Sequence, residues 1–228
     1  MDFVSPLVLL NYARILRELD HFDQADATAE RAHGRAVEPK NEVVINQALM
    51  ERSAVYLEVR KPQQAEAMLM ELEPGLQKSL PATHYAFASL TDRRSRILLE
   101  ENDLDGAIRQ SDRALALIET TVKAGDEGAF IRPALLVDRS EIDRAANRLD
   151  EAARDADRAI ELLRATVEPG SYSRKLGLAL LARARALADQ HKAEGAKKDA
   201  LYAADQLEKS SGADLPEARA ARALAQSL

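Results

Sequence analysis

The chain has 228 residues, of which 46% are hydrophobic and 31% are charged, a balance that is too apolar for a disordered chain. Its formal net charge of -6 predicts no general attraction to nucleic acid or to anionic lipid, and the absence of cysteine excludes disulfides and a thiolate nucleophile. No apolar run approaches the roughly 18 to 20 residues of a membrane span, and the first residues do not have the pattern of a signal peptide. We therefore expect a cytoplasmic location, with a periplasmic location as the alternative.

Five similar segments follow one another along the chain. Each contains an alanine in a matching context, and these anchors, spaced 40, 42, 45 and 44 residues apart, are Ala25, Ala65, Ala107, Ala152 and Ala196. A small residue stands 12 positions before each anchor, at Ala13, Ser53, Ser95, Ser140 and Ala184. Helix-breaking residues separate the segments. The sequence therefore predicts repeated units over residues 6–39, 42–80, 84–124, 129–168 and 173–210.

Each unit predicts two helices. Apolar residues recur at helical spacing in the first half, and a break falls five positions before the anchor, at Asp20, Arg60, Asn102, Asn147 and His191. Four of these five are residue types that tolerate a left-handed backbone. Second helices are predicted to start near Phe22, Pro62, Leu104, Leu149 and Ala193. Ser5 and Pro6 predict the first helix start, and residues 215–228 predict an unpaired capping helix.

A helix pair with small residues at fixed crossing positions resembles the tetratricopeptide repeat (TPR), whose units have 34 residues. The longer units here are similar to those of kinesin light chain and of arrays fused to bacterial regulators. The resemblance implies an all-α, right-handed α-solenoid of five TPR-like helix pairs plus a C-terminal capping helix. The fourth unit departs from the pattern at Asp143, where an apolar residue belongs, and its register is expected to slip toward Ile142.

The sequence offers no catalytic constellation. The histidines, His21, His33, His84 and His191, lack metal-ligand spacing, and we expect them to be exposed to solvent. The carboxylate pair Asp155 and Asp157 is interpreted as a solvated helix face. We therefore predict that the chain is not an enzyme and that it has no metal site and no cofactor.

The resemblance implies that the first helices line a concave face that binds a partner. On this register the candidate partner-binding residues are Leu10, Asn11, Arg14, Met50, Arg93, Arg96, Arg144, Leu181 and Arg185. Arg14, Arg96 and Arg185 share one position in three units and could hold the carboxylates or carbonyls of a peptide. The alternative is that they are solvated or paired with Glu18, Asp92 and Asp189.

Arg-Ser doublets recur at Arg52-Ser53, Arg94-Ser95 and Arg139-Ser140. A serine at a helix crossing is small enough to pack there. We expect each hydroxyl to bond to a carbonyl of the preceding helical turn.

The leading functional hypothesis is a scaffold for protein–protein interaction that binds a peptide or helix of a partner. In this hypothesis the chain is a module of a larger, bacterial regulatory protein. It requires neither nucleic acid nor a membrane as partner. One alternative is a homo-oligomeric scaffold that assembles through its terminal helices. Another is a sensor domain that closes around a peptide.

Overall fold

The computed structural model describes residues 4–123, 127–168 and 170–228, and within them the chain is helical, with no strand. The α-helices are α1 (Pro6–Glu18), α2 (Phe22–Val37), α3 (Glu42–Glu58), α4 (Pro62–Ser79), α5 (Tyr85–Glu100), α6 (Leu104–Lys123), α7 (Arg132–Ala145), α8 (Leu149–Arg164), α9 (Arg174–Asp189), α10 (Ala193–Ser211) and α11 (Pro216–Ser227). A short 3-10 helix over Glu127–Ile131 precedes α7. The predicted unit boundary at Ala124 and the breakers Gly125 and Pro169 lie outside the described residues.

The turns inside the helix pairs are built as the sequence predicts. All five break residues adopt positive φ, between 54° at Arg60 and 62° at Asn102. A left-handed residue ends the first helix and reverses the chain, so the second helix begins two residues later. The second helices accordingly begin at the predicted residues. Even Arg60, the one break residue of a type that does not favour this conformation, follows the pattern.

Several first helices are capped by side chains. Asn41 and Ser173 accept hydrogen bonds from Val44 and Leu176 at 3.3 Å, which satisfies otherwise unpaired backbone donors. His84 caps α5 through its Nδ1, which accepts from Ala86 N at 3.2 Å. Ser5 does stand at the N-cap of α1, but its side chain makes no capping hydrogen bond.

The small residues lie where the helices cross. All five anchors are fully buried, and the residues 12 positions earlier are buried as well. Consecutive helices pack against each other along the whole chain, and each first helix also contacts the next first helix, as α1 does with α3. Because each unit packs mainly on its neighbours, the core is a continuous thin layer rather than a single centre.

An arginine ties each later first helix to the second helix that precedes it. These inter-unit arginines stand 13 positions before the anchors, at Arg52, Arg94, Arg139 and Arg183, and Arg222 has the same role on α11. Their partners on the preceding helices are Asp26 (2.6 Å), Glu73 (2.9 Å), Asp112 (3.0 Å), Asp157 and Glu208 (2.8 Å). The doublets identified three of these arginines, and the structure adds Arg183 and Arg222.

The serines of the doublets do not all behave alike. Ser53 and Ser95 donate to the carbonyls of Met50 and Asp92 at 2.7 and 2.6 Å, three residues earlier, which confirms the prediction for both. For Ser140 the prediction is wrong, because its hydroxyl donates to the carbonyl of Ala152 on α8 at 2.8 Å.

The fourth unit keeps its register. Asn147 has positive φ at the break position, as the equivalent residues of the other units do. Ile142 is fully buried, and the equivalent positions on α3, α5 and α9 are buried too. The predicted slip toward Ile142 is therefore wrong. Asp143 remains at its repeat position and is buried there, although it is a carboxylic acid.

Two other sequence expectations are corrected. His21 and His191 are exposed, but His33 and His84 are half-buried, because His33 lies 3.6 Å from Glu71 and His84 stacks on Tyr85 at 4.3 Å. Asp155 is buried rather than solvated, because it accepts hydrogen bonds from Arg139.

Candidate functional site

The inner face of the array encloses a cavity of about 670 Å³. All five first helices contribute to its lining, together with α11. The lining residues are Arg17, Glu18, Glu58, Arg96, Pro133, Ala134, Val137, Asp138, Glu141, Leu163, Ser173, Arg174, Lys175, Leu178, Leu181, Arg185 and Glu217. A volume of this size falls within the range of ligand-binding clefts.

The cavity combines an apolar wall with charged groups. Pro133, Ala134 and Val137 on α7 face the same space as Leu178 and Leu181 on α9. Ten lining residues are charged, and five of these stand on α7 and α9 themselves. Small-molecule sites are usually lined mainly by apolar side chains with few polar groups, so this cavity is more highly charged than such a site.

Most charged groups of the lining are already paired with a neighbouring helix. Arg96 lies 3.3 Å from Glu58 on α3 and 4.0 Å from Asp138 on α7. Arg185 donates to Glu141 on α7 at 2.7 Å. Because these bonds join successive first helices, they fix the spacing of the units along the inner face.

The three arginines that share one repeat position, Arg14, Arg96 and Arg185, therefore lie next to carboxylates of the chain itself. Arg14 is exposed and lies 4.0 Å from Glu51, which also accepts a bond of 2.6 Å from Arg17. The partners differ from the expected Glu18, Asp92 and Asp189. Asp189 instead pairs with Arg144, at 3.1 Å.

Two acidic residues lie next to Arg96, the buried Asp92 and the half-buried Asp138. Asp92 is almost fully buried on α5, and its burial and the neighbouring Asp138 raise its pKa well above the usual range. Burial also raises the pKa of Asp138, while the charge of Arg96 opposes that rise. Burial lowers the pKa of Arg93 to about 10. Acidic and basic side chains therefore lie close together in this part of the inner face.

The structure places the predicted partner-binding residues in different environments. Arg96, Leu181 and Arg185 line the cavity, whereas Leu10, Asn11, Arg14, Met50, Arg93 and Arg144 are not among its lining residues. Leu10 and Leu181 are only 2% and 1% exposed, because both pack in hydrophobic clusters. Asn11 is exposed, and Met50, Arg93 and Arg144 are half-buried.

Several lining residues were missed by the sequence analysis. Lys175 and Glu217 stand outside the concave positions that the repeat pattern implies, and Glu217 belongs to α11, beyond the five units. No repeated signal marks them. Lys175 and Glu18 are both exposed, and neither forms an ion pair with any residue that the structure describes.

The fold and this inner face define an all-α repeat protein. No family model matches the chain, and no curated protein matches it either. Two solved structures of the TPR-like repeats of a putative kinesin light chain from Podosopora anserina, one of them a variant, are similar to it, with TM-scores of 0.57 and 0.55. Each is 14% identical over 89% of this chain and 94% of that chain.

The chain therefore has a TPR-like repeat fold, and the predicted all-α fold class is confirmed. Within the described parts of the chain, none of the helices combines the length and the apolar character needed to cross a membrane.

Proposed function

We propose that the chain is a protein-interaction scaffold that binds a peptide or helix of a partner protein along its inner face. In this proposal the five units and the capping helix form a single array over residues 1–228. The array acts without catalysis, in the cytoplasm, as a module of a larger bacterial regulatory protein. The observation that carries the proposal is the cavity lined by all five first helices, with its apolar wall and its two unpaired charges.

The unpaired charges suggest what the partner segment offers. Lys175 is placed to meet an acidic side chain, and Glu18 is placed to meet a basic one. An apolar side chain between them would cover Val137 and Leu178. The arginines Arg96 and Arg185 join neighbouring first helices through Glu58 and Glu141, so their replacement would also disturb the groove, and they are poor probes of binding.

A selected peptide tests the proposal. Peptides are enriched from a random displayed library on the wild-type chain, and their affinities are measured by fluorescence polarisation. Lys175→Glu is expected to weaken binding by roughly tenfold or more, because it places like charges together. A peptide whose acidic residue is replaced by lysine should recover affinity for this variant.

The matched control is Lys198→Glu, which makes the same charge change at an exposed position of α10 outside the cavity. It should leave the affinity unchanged. The proposal is wrong if no peptide is enriched, or if the enriched peptides bind the Lys175→Glu variant as tightly as the wild type.

A further inference from the structure

One end of the array exposes an apolar stripe on α1. The stripe consists of Val4, Val8, Tyr12, Ile15 and Leu19, whose exposed fractions are 37%, 56%, 52%, 53% and 44%. The spacings of four, three and four residues from Val8 to Leu19 place these four side chains on one narrow face of the helix, and Val4 lies just ahead of its first turn. None of the described residues covers this N-terminal stripe.

The repeat shows what normally covers such a face. Val8, Tyr12 and Ile15 stand 17, 13 and 10 positions before their anchor. On α3, α5, α7 and α9 the residues equivalent to Val8 and Ile15 are all buried. They are Ala48 and Val55, Leu90 and Ile97, Leu135 and Ile142, and Ala179 and Ala186. They lie on either side of the inter-unit arginine, so they face the preceding second helix. The N-terminal stripe is the same face, and no second helix among the described residues packs on it.

The chemistry of the stripe differs from that of the other units at one position. The later first helices carry an arginine between the two apolar residues, and that arginine needs an acidic partner on the covering helix. On α1 this place is held by Tyr12. The occupant of the stripe therefore needs no carboxylate there, which distinguishes it from the second helices of this chain.

We propose that a second copy of the chain covers the stripe, with the two α1 helices packed antiparallel about a two-fold axis. The spacing of the stripe is nearly symmetric about its centre. In the antiparallel register Val8 faces Ile15 of the other copy, and the two Tyr12 rings meet near the axis. The face carries no charge, so no like charges oppose each other in this arrangement.

The area of the stripe sets the strength of the dimer. Five side chains, each about half exposed, offer roughly 400 to 500 Å² per copy, so two copies bury on the order of 900 Å². Patches of this size on a monomer are often functional, and interfaces of this size are weak and reversible. The dimer should therefore form in a concentration-dependent way, independently of whether the inner face binds a peptide.

Sedimentation equilibrium over a concentration series reaching about 1 mM tests this arrangement. The wild-type mass is expected to rise from 25.1 kDa toward twice that value. Ile15→Glu and Val8→Lys should each weaken association by about 100-fold, because each places an unpaired charge against an apolar face. Circular dichroism and urea unfolding show whether these variants keep the fold.

The double variant makes the register of the pairing testable. Val8→Lys and Ile15→Glu in one chain place each new lysine opposite the new glutamate of the other copy, so association should return to within about tenfold of the wild type. Leu201→Glu, at an exposed apolar position of α10, is the control and should not change association. A wild-type mass that stays at 25.1 kDa, a dimer that tolerates Ile15→Glu, or a double variant that stays monomeric would each overturn the proposal.

Discussion

Asp143 is a buried carboxylic acid at a position that other units fill with apolar or aromatic residues. The equivalent residues are Leu16, Tyr56, Leu98 and Leu187. Asp143 is 2% exposed, its Oδ1 accepts no hydrogen bond, and its ion-pair partner, Arg148, has its Nε 3.4 Å away. Burial raises the pKa of Asp143 to about 6, although the charge of Arg148 opposes the rise.

The raised pKa gives both the sign and the size of the effect on stability. The folded chain holds the proton of Asp143 more tightly than the unfolded chain, in which the pKa is near 3.8. The stabilising contribution is therefore complete below pH 3.8 and is lost as the pH rises through about 6. A shift of this size corresponds to at most about 3 kcal/mol, since one pKa unit is about 1.4 kcal/mol.

Urea unfolding of the wild type and of Asp143→Asn at about pH 4 and about pH 7.5 measures this contribution. We expect the variant to gain roughly 2 to 3 kcal/mol over the wild type between these two pH values. Asp214→Asn, at an exposed loop position, is the control and should show no such gain. If the difference between Asp143→Asn and the wild type does not depend on pH, the argument from burial is wrong.

Two further predictions concern the contacts that join helices. Arg139→Ala removes bonds of 2.5 and 3.0 Å to Asp155 and Asp112 and leaves Asp155 buried without its partner, so urea unfolding should show a loss of about 2 to 4 kcal/mol. Arg158→Ala, which breaks only an exposed pair within α8, should cost less than about 0.5 kcal/mol, and equal losses would contradict the inter-unit role. Gly177→Ala places a methyl group 2.6 Å from Cγ of Leu207, so the Leu207 side chain or the packing of α9 on α10 must shift, and the thermal midpoint should fall by several degrees. Gly34→Ala, with open space around it on α2, should raise the midpoint, and a rise for both variants would refute the close approach.

Local features of the fold could be read from the sequence because they depend on residues close together in the chain. The turn at Asn102 needs a residue that tolerates positive φ and a helix start two positions later, and both are visible in one stretch. The crossing at Ala107 needs a small side chain, and its recurrence at a fixed spacing revealed the array. The predicted register slip at Asp143 was wrong because the hydrophobic pattern assumed that a buried position would not carry a carboxyl group.

The candidate site could not be predicted in the same way, because the curvature of the array brings its two ends together. Arg17 on α1 and Glu217 on α11 line one cavity although they are 200 residues apart in the sequence. Burial raises the pKa of Asp20, and the charge of Glu217 adds to that rise. The rotation from one unit to the next is small, and only its sum over five units decides which side chains share the cavity.

The comparison of units becomes informative once the role of each position is known. In the sequence Tyr12 is simply the first unit's departure from a column of arginines, and nothing marks it as meaningful. The structure shows that this column joins each first helix to a preceding second helix through an ion pair. A tyrosine at that position on α1, between exposed Val8 and Ile15, then indicates a face that is adapted to apolar contact without an ion pair. The exception in the repeat therefore identifies the surface on which the chain is expected to associate with its own copy.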